Sequence, residues 1–283
     1  MKLIQRIALK YYHLKLSAIE TVSIKAAGNS AFKLFCTPYT RKRKRYLPEA
    51  FLKAKKLTFS FQSHQIHGFE WIPPKSNGEK LLICHGFDSH CFKFALYIEP
   101  LIKSGYTIYA FDAPAHGLSS GKQITALLYA DLILEINKRF GNLDVILAHS
   151  FGCIASVLAI EKTIIKPKKL ILLAPATETT RSIIDFIRLL KLSPALKNEI
   201  EQIIIKKGEK PSSWYSVARV VKDIPIPTLW VHDKFDPITP YEDMSYLEKS
   251  GLKHIKFIIT EHLGHSLYRN SDVSQQVINW LAE

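Results

Sequence analysis

The chain has 283 residues, 47% of them apolar and 23% charged. That is the balance of a globular protein with a substantial buried core, and it excludes a repeat, fibrous or low-complexity chain. The net charge is +14, yet residues 1–60 hold 14 Lys/Arg against 2 Asp/Glu while residues 61–283 hold 25 against 23. The basicity thus belongs to an N-terminal stretch, which argues against nucleic-acid binding by the rest.

Residues 2–27 have helical spacing, with apolar Ile4, Ile7, Ala8, Tyr11, Leu14, Ala18, Ile19, Val22 and Ala26 and a basic stripe of Lys2, Arg6, Lys10 and His13. One amphipathic helix is expected, stopped by Gly28 and Asn29. It lacks both the long apolar run of a membrane span and the cleavage site of a signal peptide. Such a helix suits either peripheral contact with an anionic membrane through residues 1–45 or packing on the main domain, and packing is the favoured outcome. "RKRKR", residues 41–45, reads as a solvated loop. Residues 1–55 are expected to be an appendage to a domain spanning 56–283.

From residue 56 the pattern changes. "KLTFSFQ" and "HQIHGFEWI" read as two strands joined by a turn at Ser63 and His64. Strand-like "KLLICHG", "YTIYAFD", "LDVILAH", "KKLILLAP", "PTLWVHD" and "HIKFIIT" then alternate with helical segments, among them "TALLYADLILEINKRFG" capped by Thr125. Strands apolar throughout, alternating with helices, mean a mostly parallel eight-stranded α/β sheet with helices on both faces. Residues 175–226 interrupt the alternation with two or three helices, one capped by Ser193, and are expected to form a lid over the strand ends. Within it Ile184, Phe186, Ile187, Leu190, Trp214 and Tyr215 are candidates for an apolar substrate pocket, although Trp214 and Tyr215 equally suit the lid's own core.

Ligands of such sheets bind at the carboxyl ends of the strands, and the chemical motifs fall there. "AHSFG" puts Ser150 at a strand-to-helix turn, where a serine is either a nucleophile lifted from the sheet or a helix N-cap. Gly152 is small enough for a sharp turn, and Ala148 adds only a methyl group. "CHGF", residues 84–87, can turn the Phe87 N–H toward the serine, and with the Phe151 N–H it would make an oxyanion hole. In "FDAPAHGLS", Asp112 and His116 are read as structural. "HDKFDPITP" offers Asp236 as an orienting acid with Asp233 as its rival, and "EHLGHS" offers His265 in preference to His262. The order Ser150, Asp236, His265 is that of a nucleophile–acid–base triad.

On "HGF", "DAPAHGLS", "AHSFG", "HDKFDPITP" and "GHS", residues 56–283 resemble α/β-hydrolase fold proteins of the bacterial esterase, lysophospholipase-like type. The resemblance implies a serine hydrolase acting on carboxylic ester or thioester bonds of a small-molecule or lipid-like substrate. Ser150 would be its nucleophile, Asp236 its acid, His265 its base, and the Phe87 and Phe151 amides its oxyanion donors. It implies no cofactor and no metal. "DAPAHG" and "AHSFG" depart from the family pattern by carrying alanine where glycine is usual, and residues 1–55 have no counterpart in it. The alternative is a non-catalytic ligand-binding or signalling module on the same fold. Cys36, Cys84, Cys91 and Cys153 form no C-x-x-C pair, so a reducing, cytoplasmic setting is expected.

Overall fold

The computed structural model describes residues 3–39, 46–162 and 166–283; the "RKRKR" segment lies outside them. In chain order the elements are α1 (Leu3–Val22), α2 (Ile24–Phe35), α3 (Glu49–Leu52), β1 (Lys55–Phe61), β2 (His64–Trp71), β3 (Lys80–Cys84), α4 (Ala95–Lys103), β4 (Thr107–Phe111), α5 (Ala126–Phe140), β5 (Val145–His149) and α6 (Phe151–Lys162). There follow β6 (Lys169–Leu173), α7 (Thr179–Leu189), α8 (Pro194–Gly208), α9 (Val217–Asp223), β7 (Thr228–Asp233), α10 (Ser245–Glu248), β8 (Ile255–Thr260) and α11 (Ser271–Ala282).

These elements divide into two compact units, drawn differently from the boundaries at residue 55 and at 175–226 that the sequence invites. The larger comprises Pro38–Thr177 and Val217–Glu283, and the smaller joins the residues up to Thr37 to Glu178–Ser216.

The larger unit is an eight-stranded sheet in the order β1-β2-β4-β3-β5-β6-β7-β8. β2 runs antiparallel to both of its neighbours, and the pairs from β4 to β8 are parallel. The β1–β2 turn is made by Gln62 and Ser63, one residue earlier than expected, with Phe61 opposite His64. Alternation within each strand serves two cores. Leu81, Ile83, Val145, Leu147, Ile171 and Leu173 join one apolar cluster with Tyr97 and Leu101 of α4 and Val277 and Trp280 of α11. On the other face α5 packs on α6, and α6 is buried without a break from Gly152 to Ile160. A helix buried all round has no polar face to orient it, so its placement is set by the turn that starts it. The chain order reverses between β3 and β5, and a crevice opens at such a reversal.

The smaller unit is helical. The expected single N-terminal helix is two. Ser23 takes an extended backbone, and its Oγ accepts from the Ala26 N–H at 3.2 Å, capping α2. The apolar periodicity runs through this break, which is why spacing alone conceals it. Gly28 is no stop: it lies buried within α2, where an added Cβ would come within 2.6 Å of Glu199 Cβ on α8. The missing side chain lets those two helices close on each other. Leu16, Ala27, Ala31 and Leu34 share a core with Ile183, Phe186, Leu190, Leu196 and Ile200. Ser193 caps α8 as expected, its Oγ accepting from the Leu196 N–H at 3.2 Å.

Candidate active site

Ser150 follows β5 and immediately precedes α6. Its φ is +52°, a left-handed conformation that costs a non-glycine residue on the order of 1 kcal/mol or more. A helix N-cap has extended backbone and turns its oxygen toward its own helix. Ser150 does neither, so the capping alternative fails. The turn is held by Ser150 N–H donating to Leu173 O at 3.0 Å and by Ser150 O accepting from Cys153 N–H at 3.0 Å. Gly152 makes it possible, since a Cβ there would stand 2.5 Å from Cys84 O and 2.7 Å from His85 O. Ala148 is fully buried opposite Cys84 in the β3–β5 register, and its methyl group is accommodated.

The Ser150 Oγ lies 3.0 Å from His265 Nε2, and His265 Nδ1 lies 2.8 Å from Asp236 Oδ2. A carboxylate only accepts, so Nδ1 carries the hydrogen and Nε2 is left to accept from the Ser150 hydroxyl. The side chain of Asp236 is fully buried, while that of His265 keeps a 20% exposure. Burial would raise the Asp236 carboxyl. The hydrogen bond to His265, the charge of that ring and the Thr239 and Ile238 N–H donors outweigh it and hold the pKa at about 2. Thr239 Oγ1 also donates to Asp236 Oδ2 at 2.7 Å, so every lone pair of this carboxylate has a partner.

Asp233 does not meet the histidine. It accepts from Phe235 N–H at 2.9 Å, Leu263 N–H at 2.9 Å and Thr260 Oγ1 at 2.8 Å, tying the loop after β7 to the loop after β8. Burial opposes its ionised form, but these donors together lower its pKa. His262 stacks on Phe235 at 4.2 Å, and it is His265 that meets Ser150.

The loop after β3 crosses beside the serine, for a Cβ on Gly86 would lie 3.1 Å from Ser150 Cβ. The next residue, Phe87, sets its ring edge-on to Phe151 at 5.6 Å. Among the described residues neither the Phe87 nor the Phe151 N–H has a hydrogen-bond acceptor, and both belong to residues flanking the hydroxyl. Two buried histidines brace this loop. His85 Nε2 accepts from Ala113 N–H at 3.0 Å, and its Nδ1 donates to Gly86 O at 2.8 Å. His116 Nε2 accepts from Asp88 N–H at 3.0 Å while its Nδ1 donates to Pro114 O at 3.0 Å. Burial, then the neighbouring His85, lowers His116 to about 3, so it stays neutral. Asp112 accepts from Cys91 N–H at 2.9 Å and Leu118 N–H at 2.8 Å. Both residues of "DAPAHGLS" are thus occupied in holding loops.

Sequence reasoning overlooked His149, the residue just before the serine. Its Nε2 donates to the His265 backbone carbonyl at 2.9 Å, and its ring lies against His265 and Tyr268 at 4.8 and 4.3 Å. Burial, reinforced by the His265 charge, lowers its pKa to about 3. The available signal was a histidine inside the serine motif, at a strand end where polar side chains are costly to bury without a purpose.

The residues expected to line a substrate pocket are placed differently. Phe186 and Leu190 belong to the core of the helical unit, Phe186 meeting Phe35 edge-on at 5.3 Å. Tyr215 is buried, with its hydroxyl donating to Gly208 O at 2.7 Å, and Trp214 packs edge-on against it at 5.2 Å. An amphipathic helix needs its apolar face for packing, and these side chains meet that need within their own unit. Among the described residues no group of three or more His, Cys, Asp or Glu is arranged to hold a metal ion, and all four cysteines are free and buried.

Comparison with known proteins agrees with this architecture. Residues 75–225 match the family model described as "Serine aminopeptidase, S33". A Mycoplasma genitalium protein named "Putative esterase/lipase 2" is 27% identical over 115 residues, which make up 39% of this chain and 42% of that protein. The match therefore spans less than half of that relative. Among solved structures, the Pyrococcus furiosus esterase PF2001 has a TM-score of 0.64 at 16% identity, covering 87% of this chain and 97% of its own. Est1E from Butyrivibrio proteoclasticus, solved with ferulic acid bound, has a TM-score of 0.61 at 19% identity, covering 80% of this chain and 98% of its own. Such identities speak to the fold, and the family match takes in more than half of the residues, including the serine turn. The chain belongs to the α/β-hydrolase family described as serine aminopeptidase, S33.

Proposed function

We propose that the protein is a serine hydrolase that cleaves carboxylic ester or thioester bonds of substrates with an apolar acyl group. The observation that carries this reading is the relay from Ser150 Oγ to His265 Nε2 at 3.0 Å and from His265 Nδ1 to Asp236 at 2.8 Å, mounted on a backbone turn at φ +52°. His265 takes the proton of Ser150 as Oγ bonds to the acyl carbon. The carbonyl oxygen becomes an oxyanion, and in this reading the Phe87 and Phe151 N–H groups donate to it. The close approach of the Gly86 backbone to Ser150 and the lack of an acceptor for either N–H among the described residues support that role. His265 passes the proton to the departing alkoxide or thiolate as that bond breaks, leaving Ser150 acylated. Water, deprotonated by the same imidazole, then releases the acid and restores the serine. Asp236 holds the tautomer and balances the imidazolium charge.

Exposed Leu118, Phe235, Ile238 and Leu263 stand in the loops after β4, β7 and β8, an apolar setting at the strand ends that favours an apolar acyl chain. Aminopeptidase action would require a free carboxylate for the substrate ammonium. Asp112, Asp233 and Asp236, the carboxylates of the corresponding motifs, are each occupied by internal donors.

The test is a p-nitrophenyl ester chain-length series on the full chain, with aminoacyl p-nitroanilides alongside and fluorophosphonate labelling of Ser150. We expect ester turnover that rises with acyl length and falls on the order of 10⁶-fold in Ser150→Ala. Folded protein that neither turns over esters nor takes the label overturns the reading in favour of a binding module, and a preference for the anilides overturns the substrate class.

A further inference from the structure

Helix α1 has two apolar stripes where a helix packed on one side needs one. Leu9, Tyr12, Leu16 and Ile19 enter the core of the helical unit. On the opposite side Ile4, Ile7, Tyr11, Leu14 and Ala18 recur at alternating intervals of three and four and face solvent, with Ile4 80% and Leu14 57% exposed. Leu3 and Val22, 70% and 88% exposed, extend the stripe to both ends of the helix. Five turns of continuous apolar surface make a patch on the order of several hundred Å², a size that marks a binding surface.

The charges around this stripe have one sign. At 100° per residue Lys10 falls on one flank with Arg6 beyond it, and Lys15 falls on the other, its ammonium 6.0 Å from the Tyr11 ring centre. The acid of α1, Glu20, is turned inward to accept from Ser193. No described helix is long and apolar enough to cross a membrane, so a bilayer would meet α1 as a surface.

We propose that α1 is an interfacial helix that seats its outer stripe at the headgroup boundary of an anionic lipid bilayer, with Arg6, Lys10 and Lys15 against lipid phosphates. The three–four spacing also matches a coiled-coil seam, which raises a second copy of the chain as the occupant. The flanks argue against it. With Ile4 and Leu14 on the seam, Lys10 and Lys15 take the bordering positions. Lys10 would then face Lys15 in a parallel pair, and each lysine would face its own copy in an antiparallel one. An anionic surface turns the same charges into attraction.

The test is sedimentation of the full chain with vesicles of phosphatidylglycerol and phosphatidylcholine, and with vesicles of phosphatidylcholine alone. Ile7→Asp/Leu14→Asp and Lys10→Glu/Lys15→Glu are the variants. The substituted positions are exposed, so melting temperature and turnover of a soluble short-chain ester should stay at wild-type values. We expect binding at least tenfold tighter to anionic than to neutral vesicles, weakening as salt shortens the screening length to about 8 Å. Each double variant should lose at least tenfold. Failure of the full chain to bind anionic vesicles at low salt overturns the proposal. So does binding that survives the Asp variant, which would assign it to the basic run at 41–45. Self-association that the Asp variant abolishes, without vesicle binding, assigns the stripe to a second copy. Esterase failure leaves all these outcomes readable, because none depends on catalysis.

Discussion

His149 Nε2 donates to the backbone carbonyl of His265 at 2.9 Å, so the residue before the candidate nucleophile grips the main chain of the candidate base. The turn that aims Ser150 and the loop that delivers His265 are therefore positioned against each other and not only through the reacting atoms. Among the described residues the ring's other nitrogen, Nδ1, is buried without a partner, so the polar contribution of this side chain rests on the bond to His265. Removing a hydrogen bond of this kind is worth about 1 kcal/mol. His149→Leu should lower kcat on the order of tenfold with little change in KM or melting temperature. Equal losses in kcat and thermal stability would make His149 a packing residue only.

Asp236 and Asp233 should separate by readout. Asp236→Asn removes the acceptor that sets the His265 tautomer, an exchange that costs about 10⁴ in rate in a triad. Asp233→Asn loses acceptor strength toward Phe235, Thr260 and Leu263 and should destabilise by about 1–3 kcal/mol while a fair share of activity survives. Steady-state kinetics and urea midpoints of both variants decide. The opposite ranking in activity would move the acid to Asp233.

At the serine turn, alanine should be harmful at one small position and is native at the other. A methyl group at Gly152 meets two backbone carbonyl oxygens at 2.5 and 2.7 Å, neither of which can swing aside. Gly152→Ala, which raises stability by about 1 kcal/mol in an open helix interior, should here destabilise and lower turnover. Ala148→Gly should remain active. Differential scanning calorimetry with ester turnover measures both effects, and an active, stabilised Gly152→Ala protein would show that α6 stands further from β3 than the structure places it.

Acid should weaken the fold early. His116 and His149 are held near a pKa of about 3 against an ordinary 6.5, by burial first and by His85 and His265 second. Between those values the unfolded chain binds the extra protons. Stability is therefore complete above about pH 6.5 and falls as the pH drops toward 3, by about 1.4 kcal/mol per pH unit for each histidine. Asp236, depressed to about 2, adds its own loss only at the acid end of that range and below. Urea unfolding at stepped pH should show this slope, and His116→Gln should flatten it. An unchanged slope in that variant would mean that His116 does not titrate on unfolding.

The sheet was legible because strands buried on both faces write continuous apolar runs, and because the chain returns to the same edge after each one. That return also made the meeting of Ser150, Asp236 and His265 foreseeable, since each closes a strand or sits in the loop just beyond one. What stayed hidden was tertiary. Leu16, Phe186 and Leu190 announce that an apolar face must be covered, but nothing local in either segment says that they cover one another. The break at Ser23 was hidden because the apolar rhythm resumes in phase on the far side. His149 was hidden because its partner is a main-chain carbonyl, which carries no side-chain signature.

The helical unit is sewn from two stretches that leave the ribosome at different times. Leu16, Ala27, Ala31 and Leu34 are made first, while their core partners lie at positions 183–200. At about 5–20 residues per second, the N-terminal helices wait on the order of ten seconds with an uncovered apolar side, during which the strands up to β6 are synthesised. Nascent chains halted just before residue 183 should therefore depend on a holding chaperone, and chains halted past residue 216 should depend on it less.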